Sequence, residues 1–242
     1  MSDVSMAELV RNGTMSAEMA AVLWAAVDEP ASFLTAAVPR LAGKSTTSEA
    51  ALALRRPGLP VRTVTGEAEE MTRIERERAG GYLQIEEISR GRRPTYIWGE
   101  PVQRVFRSLH AGYVVQASLH APDVPEAVRI VAVESGVGDE LTAAFKLVLY
   151  IERLGEEATG YWRRLAELYE LRGVEDGRPV SQTLFRWHAD GDRFEQLAEP
   201  QQFGHDRADL ARRAEIIAGL AAAGRTSPED VASVVAAYRT GA

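Results

Sequence analysis

Four consecutive residues have the types and spacing that best suit a defined chemistry: Gly43, Lys44, Ser45 and Thr46. In a loop leading from a strand into a helix, backbone N–H groups and the helix N-terminus hold phosphate. A lysine there reaches the outer phosphates, and the next hydroxyl ligates Mg²⁺. The flanking sequence fits, because an apolar run at 33–38 precedes the loop and an Ala/Leu-rich segment follows it. We therefore predict a phosphate site at Lys44 with Mg²⁺ at Ser45.

The phosphate-loop pattern G-x-x-x-x-G-K-[ST] is incomplete, because Val38 stands where the first glycine should be. A β-branched residue resists positive φ and close approach of the backbone to phosphate. A chance Gly-Lys-Ser in a helix-opening loop is therefore the alternative interpretation. Lysine usage favours the phosphate site: of 28 lysines and arginines, only Lys44 and Lys146 are lysines. A compact ammonium suits metal-bearing phosphates better than a broad guanidinium does.

Composition narrows the class of protein. A chain of 242 residues can form one α/β domain, alone or with an appendage. The net charge of −7 disfavours nucleic-acid binding, and the absence of cysteine excludes disulfides, zinc–thiolate sites and a cysteine nucleophile. The N-terminal segment does not have the pattern of a secretory signal, and no run of 18 apolar residues occurs. We expect a cytoplasmic protein.

The elements that must position the loop alternate between helical and strand patterns, which favours an α/β fold. In chain order we predict a helix at 17–28 capped by Ser16, a strand at 33–38, a helix opening at Lys44, a strand at 61–65, a solvated helix or loop at 67–78, a helical or irregular segment at 82–93, a strand at 94–100, a helix at 102–110, a strand at 112–121, a helix at 127–135, hairpins of 145–154 with 160–171 and of 182–187 with 193–197, and helices at 206–222 and 228–239.

Two of the predicted strands end in residues that suit phosphate chemistry. The stretch PTYIWGE ends in Glu100, which could hold Mg²⁺ through water or polarise an attacking water. The stretch GYVVQASLHA carries His120 at its end, where the side chain could contact a γ-phosphate. The alternatives are a glutamate that ends a strand in solvent and a structural histidine.

The order of these motifs resembles the motor ATPases of type II secretion, type IV pilus and archaellum systems, most closely the archaeal-type branch. The family's helix, strand and Walker A are similar to MSAEMAAVLWAAVDEPASFLTAAVPRLAGKSTT, its Walker B to PTYIWGE and its histidine box to GYVVQASLHA. Its late β-hairpins are similar to GYWRRLAELYEL with TLFRW and DRFEQ, and its closing helices to ARRAEIIAGLAAAGRTSPEDVASVVAAY. The likeness runs from about Met15 to Tyr238.

The resemblance implies a RecA-like P-loop core at 1–200, with a late β-hairpin region, and a C-terminal helical hairpin at 201–242. It also implies ATP and Mg²⁺ as ligands, a homohexamer or a mixed ring with full-length paralogues, and a membrane platform protein that the ring serves at the inner face of the membrane. Residue by residue, it implies that Gly43, Lys44, Ser45 and Thr46 bind phosphate and Mg²⁺, that Glu100 is the Walker B carboxylate and a metal ligand, that His120 is the sensor, and that Glu67 is the acidic residue of the family's Asp box.

The chain also departs from the family. Pro101 follows Glu100 directly, where the family has an arginine-bearing turn, and only about 30 residues precede the first strand, so we expect the family's arginine-supplying N-terminal domain to be missing. Transition-state arginines contribute roughly 10³–10⁵ in rate, so we expect slow or no hydrolysis unless a partner supplies them. Three hypotheses stay open: an ATPase core, a degenerate subunit for assembly or regulation, and a small P-loop kinase.

Overall fold

The computed structural model describes residues 3–156, 158, 160–203 and 205–241. Its elements are α1 (Met6–Arg11), α2 (Ala17–Asp28), β1 (Ser32–Ala37), α3 (Lys44–Ala53), β2 (Val61–Thr63), α4 (Ala68–Glu77), β3 (Gly81–Ile85), β4 (Glu87–Ile88), β5 (Tyr96–Ile97), α5 (Glu100–Arg107), β6 (Tyr113–His120), α6 (Val124–Arg129), α7 (Asp139–Thr142), β7 (Phe145–Glu156), β8 (Gly160–Glu175), β9 (Arg178–His188), β10 (Arg193–Gln196), α8 (Arg207–Ala222) and α9 (Pro228–Thr240). None of these helices is long and apolar enough to cross a membrane.

One eight-stranded sheet has the order β10-β9-β8-β7-β1-β6-β3-β2. The neighbouring strands β7, β1, β6, β3 and β2 run parallel to one another. On the other side of β7, each of β8, β9 and β10 is antiparallel to the strand before it. Every residue of β1 is buried, as expected of a parallel strand covered on both faces. The predicted α/β class is therefore confirmed, and the late strands add an antiparallel extension.

Two hydrophobic cores cover the two faces of the sheet. Along β1, Phe33 packs into one core and Leu34 into the other, following the period of two in a strand. The first core joins the sheet to α1, α2, α3, α8 and α9, and the second joins it to α4, α5 and α6. The C-terminal helices share the first core with α2, since Ile217 and Val235 belong to the same cluster as Trp24.

Several local predictions are confirmed. Ser16 caps α2 by accepting from the N–H of Met19, and Ser227 caps α9 by accepting from the N–H of Asp230. The charge run at 67–78 forms α4, which is solvated apart from two side chains that face the core. The late hairpins and the closing helices lie where they were predicted.

Other predictions are wrong in element type or length. The segment 82–93 is not helical: its first half is β3, a strand between β2 and β6. The predicted strand at 94–100 shortens to β5, which pairs with β4 outside the main sheet. The predicted helix at 127–135 begins earlier, as α6, and continues as a π turn over Ile130–Glu134. The prediction failed at β3 because Gln84 interrupts the continuous apolar run that is typical of a buried parallel strand.

Candidate functional site

The candidate phosphate loop joins β1 to α3 and spans residues 38–43. Gly43 precedes α3 with φ 91°, and a Cβ atom there would lie 3.2 Å from Cδ of Arg163. Within the loop, Leu41 adopts a positive φ of 62°, whereas Val38 does not. The expected conflict at Val38 is therefore absent, and the strained position is Leu41, three residues later.

Lys44 opens α3 and is 8% exposed. Its Nζ lies 3.1 Å from Nε2 of His120 and 3.6 Å from Oε2 of Glu87. Burial lowers the pKa of Lys44, the carboxylate of Glu87 opposes that effect, and the charge of Arg40 adds to it. We call Lys44, Glu87 and His120 the Lys44 cluster.

His120 joins the loop to the lysine. Its Nδ1 lies 3.0 Å from the carbonyl oxygen of Ala37 and 2.9 Å from that of Val38. Both partners only accept, so we assign the ring hydrogen to Nδ1. The lone pair of Nε2 then accepts from the ammonium of Lys44, and the histidine fixes the start of the loop and the lysine together.

The sheet topology explains why these three residues meet. The adjacent parallel strands β1, β6 and β3 end at the same edge of the sheet, which is where ligands bind in open α/β folds. Lys44 follows β1, His120 ends β6, and Glu87 lies two residues beyond β3. As expected from the sequence, Lys44 and His120 lie at one edge.

A chain of polar side chains fixes α3 against these strands. Ser48 of α3 contacts Oγ1 of Thr35 at 2.9 Å and accepts from Nε2 of Gln116 at 3.1 Å. Gln116 in turn accepts from Nε2 of Gln84 at 2.9 Å. The chain links α3 to β1, β6 and β3, the elements that carry the Lys44 cluster, and so holds its members in a fixed relation.

The two other predicted acidic residues lie outside this cluster. Glu100 begins α5, where it pairs with Arg104 at 2.7 Å and is 65% exposed in its side chain. Glu67 is the exposed residue immediately before α4. The carboxylate that faces Lys44 is Glu87, which sequence reasoning missed. A usable signal was present, since Glu86-Glu87 follows the run Tyr82–Ile85 as Glu100 follows its own apolar run.

The residues present fit a Mg²⁺–nucleotide in part. Ser45 is exposed on the first turn of α3 and Thr46 is half-buried. Ser45 and Glu87 line a cavity of about 540 Å³, which Arg55 and Val61 also line. In the part of the chain that the structure describes, no group of three or more His, Asp and Glu side chains could cage a metal. A Mg²⁺ ion here would depend on Ser45, one carboxylate and the phosphates, as is usual for this ion.

Comparisons with known proteins leave the function to be argued from this geometry. No protein-family model matches the chain, and no curated protein matches it significantly in sequence.

Proposed function

We propose that this chain binds a nucleoside triphosphate with Mg²⁺ on a RecA-like P-loop core and acts as the core of a secretion or type IV pilus-type motor ATPase. The observation that carries the proposal is the position of Lys44. Its ammonium lies at the start of α3 between Glu87 and His120, at the edge where three parallel strands end. A buried cation beside one carboxylate, next to a strand–loop–helix turn, suits a phosphate that brings its own metal.

Each residue of the site has a proposed role. The loop N–H groups from Gly43 onward and the ammonium of Lys44 hold the outer phosphates, and the hydroxyls of Ser45 and Thr46 face the Mg²⁺ side. The bound Mg²⁺–nucleotide supplies the reactive phosphoryl group. Glu87 is placed to orient a water beside Lys44, and His120 links the lysine to the loop. Glu100, the carboxylate expected from the sequence, is the competing assignment for the acidic role.

The proposed partners follow from the same family resemblance. The ring is a homohexamer, or a mixed ring with full-length paralogues that supply transition-state arginines. It works at the inner face of a membrane against a platform protein. A size measurement with and without nucleotide tests this part, and a monomer under both conditions contradicts a self-sufficient motor.

A second candidate function is a degenerate subunit that joins such a ring without hydrolysing ATP. The loop itself favours it, because Val38 and Leu41 are 53% and 73% exposed where the family carries a small, flexible loop. An exposed apolar loop is better suited to contact with a neighbouring subunit than to close wrapping of phosphate.

Nucleotide binding with and without Mg²⁺ separates these functions. We expect wild type to bind a fluorescent ATP analogue, Lys44→Ala to bind at least about tenfold more weakly, and Lys146→Ala, the matched control on β7, to bind like wild type. Turnover by Glu87→Gln and Glu100→Gln then decides between enzyme and assembly subunit. Binding that Lys44→Ala leaves unchanged refutes the proposed site, and binding without turnover supports the degenerate subunit.

A further inference from the structure

The β7–β8 hairpin reaches beyond the sheet and over the phosphate loop. The last residue pair between β1 and β7 is Ala36 with Tyr150, yet β7 continues to Glu156. Because β7 is parallel to β1, its free end extends past the edge where the loop lies. The outer half of the hairpin is therefore positioned to touch residues 38–43.

Two arginines make that contact. Arg153 on β7 and Arg163 on β8 are directly opposite each other, so their side chains share one face of the hairpin. Arg153 donates from Nη1 to the carbonyl oxygen of Arg40 at 2.7 Å. Arg163 donates from Nε and Nη2 to that of Leu41 at 3.1 and 2.9 Å. Two successive loop carbonyls are thus held by cationic donors.

These bonds determine where the loop N–H groups point. A trans peptide is planar, so its N–H points opposite to its carbonyl. With the carbonyls of Arg40 and Leu41 turned to the hairpin, the N–H groups of Leu41 and Ala42 point away from it. Strands β7 and β6 flank β1 on opposite sides. The two N–H groups therefore face away from the hairpin, and His120, which ends β6 and contacts the Nζ of Lys44, lies on the other side of β1 from β7.

The arrangement is costly for a purely structural hairpin. Like charges directly opposite each other on paired strands are destabilising, and Leu41 is held at φ 62°, which a leucine rarely adopts. Arg153 is also fixed by stacking over the ring of Tyr161, at 4.1 Å. Strain of this kind persists where the surrounding structure imposes it, and it concentrates at ligand-binding sites.

We propose that Arg153 and Arg163 are positioning residues that hold the loop in its anion-binding conformation for the phosphates of a nucleotide. They replace the glycine that the loop lacks: the hairpin imposes the backbone geometry that a flexible loop would adopt by itself. The inference rests on the proposed function for its ligand, but the effect of the arginines on the loop is measurable without any nucleotide.

The test uses the full chain and the variants Arg153→Ala, Arg163→Ala and Arg163→Lys, with Arg193→Ala on β10 as the control for lost charge. Backbone NMR order parameters of residues 38–43 are measured without nucleotide, and affinity for a fluorescent ATP analogue is measured with Mg²⁺. We expect both alanine variants to show lower order parameters in the loop and to bind about 5- to 20-fold more weakly, with Tm no lower than that of the control. Arg163→Lys should recover part of both effects, since one ammonium replaces only one of the two donors.

The two readouts separate the possible failures. Unchanged order parameters in both alanine variants overturn the positioning role, whatever the nucleotide does. Full recovery of affinity by Arg163→Lys with the loop order parameters still low also overturns it, because charge alone would then explain binding. Lower order parameters in the variants, combined with a wild type that binds no nucleotide, refute the proposed function while the hold on the loop stands.

Discussion

Two charged clusters in this protein have opposite character. The Asp28 cluster consists of Asp28, Arg213, Arg239 and Asp209, and it fastens the C-terminal helices to α2. Asp28 accepts from Nη1 of Arg213 at 2.8 Å and from Nε and Nη2 of Arg239 at 3.0 and 2.6 Å. Arg213 also donates to Asp209 at 2.7 Å and lies over the ring of Trp24.

The pKa values of the central cations mark the difference. Burial by itself lowers the pKa of Arg213, but its hydrogen bonds to Asp28 and Asp209 outweigh that effect and raise it. In the Lys44 cluster burial prevails and the pKa of Lys44 is lowered, with its carboxylate partner 3.6 Å away. Charge-assisted bonds normally measure about 2.7–2.9 Å, so Glu87 only partly satisfies the lysine.

The Asp28 cluster stabilises the fold, whereas the Lys44 cluster has a cation that can still bind a ligand. A buried charge with complete partners joins elements and specifies one arrangement, whereas an incompletely satisfied cation at a sheet edge keeps capacity for an anion. Departures from local satisfaction are expected at functional sites.

The largest expected effect is on the free energy of unfolding when the Asp28 cluster loses its central carboxylate. Asp28→Asn keeps the volume of the side chain but leaves the buried Arg213 and the half-buried Arg239 against a neutral amide. We expect a loss of about 3–5 kcal/mol in the free energy of unfolding, measured with urea. Glu77→Gln, which removes an exposed partner of Arg62, is the control and should change little. A loss below about 1 kcal/mol would show that the Asp28 cluster does not hold the helices.

The next effect sharpens the role of the Lys44 cluster. Glu87→Gln removes the carboxylate beside Lys44, so we expect turnover to fall by about 10²-fold or more. Glu100→Gln should have a much smaller effect, because that side chain is exposed and pairs with Arg104. Steady-state hydrolysis with a matched nucleotide-affinity measurement checks both. The opposite ranking would restore the assignment of Glu100 made from the sequence.

Local signals explain how much of the fold could be predicted. The caps at Ser16 and Ser227, the late hairpins and the closing helices depend on neighbouring residues, and they are where they were predicted. Strand β3 depends on distant partners. Gln84 is tolerated inside the sheet because it bonds with Gln116, 32 positions away, which no local pattern reveals.

The residues of the site also include some that local sequence predicts and others that depend on distant contacts. Lys44, Ser45 and His120 were identified from a short motif and a strand end. Glu87 was missed with the strand that positions it. The contacts of Arg153 and Arg163 with the loop span 113 and 122 positions, so they require the hairpin geometry itself.

A smaller effect tests whether the Lys44 cluster costs stability. Because the folded-state pKa of Lys44 is lowered from 10.5, the unfolded chain binds that proton more tightly. Stability should therefore rise as the pH rises toward 10.5, relative to Lys44→Met, which lacks the group. Urea unfolding of both proteins from about pH 7 to about pH 9.5 measures this difference. If the unfolding free energies of the two proteins depend on pH in the same way, the charge of Lys44 does not cost stability and its partners satisfy it fully.

The smallest expected effect is on the unfolding free energy at low pH, through Asp209 of the Asp28 cluster. Burial alone raises the pKa of Asp209, but hydrogen bonds from Tyr238 and Arg213 outweigh it, so the net shift is downward from 3.8. A depressed carboxyl pKa contributes stability that is complete above the unfolded value of 3.8 and is lost as the pH falls through the lower folded value. Asp209→Asn should therefore flatten the fall in unfolding free energy below about pH 4, whereas Asp190→Asn, on the exposed β9–β10 turn, should not. Equal acid sensitivity of both variants would mean that the ionised form of Asp209 adds nothing to the Asp28 cluster, and that Asp28 alone anchors the two arginines.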